Sequence, residues 1–76
     1  EQQLHASLHQ SLDVVAGDAR VTVLLDIVPD EDNPYATLTA QDEAGDALAC
    51  VRVAPNFKLN RASATQWVEA GFPKPR

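Results

Sequence analysis

Hydrophobic and polar positions along this chain follow two periods. Over residues 20–28, Val21, Val23, Leu25 and Ile27 alternate with Thr22, Leu24, Asp26 and Val28, and a period of two puts successive side chains on opposite faces of a strand. The run is the densest in β-branched residues and reads as the strand around which the rest is organised. Its odd-numbered set forms a core face. The even-numbered set is half apolar and half polar, the pattern of a face that is partly covered or meets a partner. Upstream, Leu4, Leu8, Leu12 and Val15 recur at i, i+4, i+8 and i+11, which predicts an amphipathic helix over residues 2–16 with Gly17 as its stop.

Downstream, Pro29-Asp30-Glu31-Asp32-Asn33-Pro34 ends the strand, since proline donates no ladder hydrogen bond. Residues 35–41 form a second strand, with Ala36, Leu38 and Ala40 facing one way and Tyr35, Thr37 and Thr39 the other. Residues 42–46 make a hairpin connection around Gly45. Residues 47–54 form the third strand, with Ala47, Ala49, Val51 and Val53 set against Leu48, Cys50 and Arg52, and Pro55 closes it. Phe57 and Leu59 then plug one end of the core. A final helix starts at Asn60 or at Ser63, is anchored by Trp67 and Val68, and stops at Gly71-Phe72-Pro73, leaving residues 73–76 as a flexible tail. The predicted architecture is a single α+β domain over residues 1–76: helix, three-stranded antiparallel meander, helix, with both helices on one face of the sheet.

A length of 76 residues allows one core and no second. With 45% hydrophobic and 22% charged residues, and no apolar run near the roughly 20 residues of a bilayer crossing, a soluble domain away from membranes is expected. The one cysteine, Cys50, forms no internal disulfide, which favours a reducing, cytoplasmic setting. A net charge of −5 argues against binding nucleic acid, which requires Lys and Arg to neutralise phosphates.

Chemistry has few footholds. On the predicted first helix, Glu1, His5, His9 and Asp13 recur every four residues, and His5 with His9 has the i, i+4 spacing of a shared divalent metal; a solvated stripe is the plainer reading. Asp30-Glu31-Asp32-Asn33 has the acid density of a calcium loop without its glycine or distal glutamate. Cys50 has Arg52 nearby but no base, and neither a Ser/His/Asp arrangement nor a glycine-rich phosphate loop is present. The expectation is no enzyme and no cofactor. More weight falls on the second sheet face, away from the helices, where Leu24, Tyr35, Thr37, Leu48, Cys50 and Arg52 form the candidate partner-binding set. Through that face, or an open strand edge, a small regulatory domain would dock another protein or a second copy of itself.

The order helix, three antiparallel strands, helix resembles the double-stranded-RNA-binding domain. Where that family carries a lysine cluster, this chain has Asn60-Arg61-Ala62-Ser63-Ala64-Thr65, with a single base. The resemblance implies, as the alternative function, a nucleic-acid-associated factor drawing on Arg52, Lys58, Arg61, Lys74 and Arg76, or a protein-binding relative of such a fold. The closing Thr65-Gln66-Trp67-Val68-Glu69-Ala70-Gly71-Phe72-Pro73-Lys74-Pro75 is similar to the end of the recognition helix and the start of the wing in winged-helix excisionases and prophage regulators.

Overall fold

The computed structural model describes residues 8–73. Strands β1 (Leu8–Ala16), β2 (Ala19–Val28), β3 (Tyr35–Gln41) and β4 (Ala47–Val53) form one antiparallel meander in that order, followed by helix α1 (Arg61–Glu69). The alternating pattern thus places β2, β3 and β4 where expected.

The first predicted helix is overturned. Residues 8–16 are a strand paired along its length with β2, and residues 2–7 of the predicted helix lie outside the described residues. A spacing of four is also a multiple of two, so Leu8 and Leu12 share a face in a strand as well as in a helix. The two periods part at the next step, where the strand buries Val14 to 1% exposure and leaves Val15 62% exposed. Gly17 is therefore no helix stop. With Ala16 paired to Ala19, Gly17 and Asp18 are the two central residues of a tight hairpin, and the positive φ of 63° falls on Gly17 alone. That is the type II′ arrangement, whose twist suits the flanking strands.

Among the described residues the architecture is thus four strands and one helix, and the helix–three-strand–helix α+β arrangement with two helices on the sheet does not hold. The resemblance to the double-stranded-RNA-binding domain rested on that order and loses its basis.

Cross-strand rows build the core. Leu12, Val23, Ala40 and Ala49 stand side by side, as do Gln10, Leu25, Leu38 and Val51, while Val14 faces Val21. Val14, Val21, Val23, Leu25, Ala36, Leu38, Ala40 and Val53 are buried there with Ala64 and Trp67 of α1, and Phe57 and Leu59 pack against them. The helix is fixed at both ends. Asn60 accepts from the Ser63 backbone N–H at 2.9 Å while Ser63 Oγ accepts from the Asn60 N–H at 3.2 Å, a reciprocal capping box. At the other end the Phe72 N–H donates to the Trp67 carbonyl and the Gly71 N–H to the Val68 carbonyl, a Schellman motif with Gly71 at φ 80°. Phe72 then meets Trp67 edge to face, ring centroids 5.1 Å apart.

One helix does not roof four strands. α1 lies chiefly against β1, and a helix about 10 Å across spans two of the strand intervals of about 4.8 Å. Of the inward residues of β4, Val53 is buried, but Ala49 and Val51 are only half-buried, whereas Ala40 and Leu38 beside them on β3 are fully buried.

Candidate functional site

The face opposite α1 carries the predicted docking residues. Leu24 is half-buried in its middle, between Ser11 of β1 and Thr39 of β3. Tyr35 starts β3, and the Arg52 guanidinium sits 4.7 Å from its ring centroid, so the two form one unit. Thr37 lies between Asp26 and Arg52 in a single cross-strand row. Cys50 is exposed and accepts a hydrogen bond from Thr39 Oγ1 at 3.4 Å. Leu48 stands apart from these at the start of β4, where the pairing shifts register between Ala40 and Gln41; it is 48% exposed. This shift is a β-bulge that sets an extra residue into β4.

Because residues 8–16 are a strand, the face is one strand wider than expected, and the added strand changes its character. β1 contributes His9, Ser11, Asp13 and Val15. His9 Nδ1 lies 2.6 Å from Asp26 Oδ1, and Thr22 Oγ1 donates to Asp13 Oδ1 at 3.0 Å. Polar pairs therefore occupy much of its β1 side, and the apolar residues are divided between Leu24, the β4 edge and an exposed Val15 at the hairpin end of β1. A helix over residues 2–16 keeps these four residues off the sheet face; the signal that puts them there is the Gly-Asp turn between two apolar-alternating runs.

The helical metal stripe disappears with the helix. On a strand, His9 and Asp13 are about 13 Å apart along the chain, and Glu1 and His5 lie outside the described residues. Among the described residues no three His, Cys, Asp or Glu side chains converge. Asp30 accepts from the Asp32 N–H at 2.9 Å, a local turn contact.

The two edges of the sheet differ. Counting from the two-residue turn, Asp13 occupies a pair whose backbone groups point away from β2, and its outward carbonyl is taken by Arg61 Nη1 at 2.8 Å. With α1 alongside, the edge of β1 is guarded at Asp13, toward the hairpin end of the strand. β4 has no such guard among the described residues: its sequence Ala-Leu-Ala-Cys-Val-Arg-Val contains one charge and no proline. Below the bulge, residues 49–53 pair with β3 without a register shift, a regular edge of the kind that accepts a further strand.

Two clefts flank residues 57–59. One, of about 330 Å³, is lined by Leu38, Phe57, Leu59 and Trp67 and by Ser63, whose hydroxyl is already engaged in the cap. The other, of about 540 Å³, opens between Leu8, Ile27 and Lys58. No helix among the described residues is long and apolar enough to cross a membrane. Comparison of the chain with protein-family models, with curated proteins and with solved structures found no match.

Proposed function

We propose that this domain is a non-enzymatic association module that accepts an extended strand from another chain at the edge of β4. The observation carrying this reading is the contrast between the edges, one guarded by Arg61 and α1, the other apolar and open. Strand addition supplies affinity through main-chain hydrogen bonds and specificity through alternate side chains. At β4 those side chains are Ala49 and Val51 on the helix side and Cys50 and Arg52 on the other. A cytoplasmic setting accords with an exposed thiol on that edge.

The test places a photo-activated cross-linking residue at position 48 or, as control, at position 11 on β1, in cells producing the protein. Adducts at position 48 well above those at position 11 are expected. Equal or absent adducts at position 48 would remove the reading.

A further inference from the structure

We infer that the strand received at β4 is β4 of a second copy, related by a two-fold axis near Cys50, so that two four-stranded sheets join into one of eight. The inference rests on the association reading above and gives it an occupant. Three features of the strand argue for self-pairing.

The first is charge. β4 is preceded by the acidic hairpin Asp42-Glu43-Ala44-Gly45-Asp46 and carries its one charged residue, Arg52, near its other end. Antiparallel self-pairing lays the acidic start of each strand beside the basic end of its mate, twice by symmetry. Parallel pairing would set acid on acid and base on base, so the distribution also selects the direction.

The second is cover. Cover over β4 reaches Val53, which is buried, and stops short of Ala49 and Val51, which stay half-buried beside the fully buried Ala40 and Leu38. Opposed residues in a ladder point to the same side, so the second copy brings its own Ala49 and Val51 to the same side. The apolar strip each monomer leaves open is thereby continued rather than interrupted.

The third is shape. The two-fold operator needs a surface that complements itself. The five residues below the bulge are small or β-branched apart from Arg52. No like charge on β4 faces its own symmetry mate when the axis lies near Cys50, because Arg52 then stands opposite the start of the partner strand.

The experiment uses the purified full chain. Sedimentation velocity over a concentration series should show a monomer–dimer equilibrium, and a short bis-maleimide should link Cys50 to Cys50 in the dimer. Arg52→Glu, which makes both ends of the strand acidic, should weaken the dimer at least tenfold with an unchanged circular dichroism spectrum. Adding Asp46→Lys to that variant, which puts a base at the hairpin position nearest the strand, should recover part of the affinity. A monomer throughout the series would overturn self-pairing; if position 48 still yields adducts in cells, the edge reading survives with a foreign strand, and if it yields none both fall. A dimer that Arg52→Glu leaves intact, or that does not link through Cys50, would also overturn the inference, because the contact would then lie elsewhere.

Discussion

Val14 and Val15 are adjacent, chemically identical and oppositely placed: one is 1% exposed against Val21, the other 62% exposed on the far face. Removing two buried methyl groups forfeits about 0.8 kcal/mol each in transfer and leaves a cavity besides, so Val14→Ala is expected to cost about 1.5–3 kcal/mol. Val15→Ala should change stability by less than about 0.5 kcal/mol. Urea unfolding of the two variants checks this, and a larger loss at Val15 would restore the helical stripe through Leu12 and Val15. The same pair shows what the residue pattern could and could not disclose. Leu4, Leu8 and Leu12 sit at intervals that serve either period, and no residue among them breaks the tie. The deciding information was the two-residue Gly17-Asp18 step, a short-range turn signal that a longer-range stripe overrode. At β2 no tie existed, since Val21, Val23, Leu25 and Ile27 occupy every second position, and all of them face α1.

Among the elements, α1 was legible to its stop at Gly71, while its start was open between Asn60 and Ser63, and the structure makes Asn60 the cap with Ser63 as its N3 partner. A nine-residue helix has too few internal turns to be stable alone, so its caps and its buried Ala64 and Trp67 hold it on the sheet. Asn60→Ala should cost about 1 kcal/mol by freeing the first-turn N–H that the carboxamide now accepts from. Gly71→Ala should cost about 1–2 kcal/mol, because a Cβ opposes φ near 80° and nothing crowds the position otherwise. The expected readout is a lowered urea midpoint with an unchanged slope. Of the candidate surface, the β2, β3 and β4 portions followed from alternation, whereas His9, Ser11, Asp13 and Val15 followed only once β1 was a strand. The inequality of the two edges was beyond the sequence altogether. It depends on Arg61 reaching Asp13, 48 residues away, a contact that exists only because α1 folds back over β1.

At the scale of the whole molecule, charge gives a test that separates association from nucleic-acid binding by sign alone. Each chain carries −5, and in an eight-stranded sheet the centres of the two halves lie four strand spacings, about 19 Å, apart. Treating each half as a point charge, Coulomb repulsion in water is about 5 kcal/mol before screening. With a Debye length of about 30 Å at 0.01 M salt and about 10 Å at 0.1 M, it falls to roughly 3 and then below 1 kcal/mol. Screening the attraction between Arg52 and the acidic hairpin of the second copy gives back less, because exposed ion pairs contribute only about 0.2–1 kcal/mol each. The dimer is therefore expected to tighten by roughly tenfold between 0.01 and 0.1 M salt. A protein that neutralises phosphates moves the other way, losing affinity as salt displaces its contacts. Sedimentation across that salt range, with retention on heparin measured in parallel, checks the sign. Association that weakens steadily from the lowest salt upward would mean that local ion pairs outweigh ten negative charges brought together, and a main-chain ladder between apolar edges would no longer account for it.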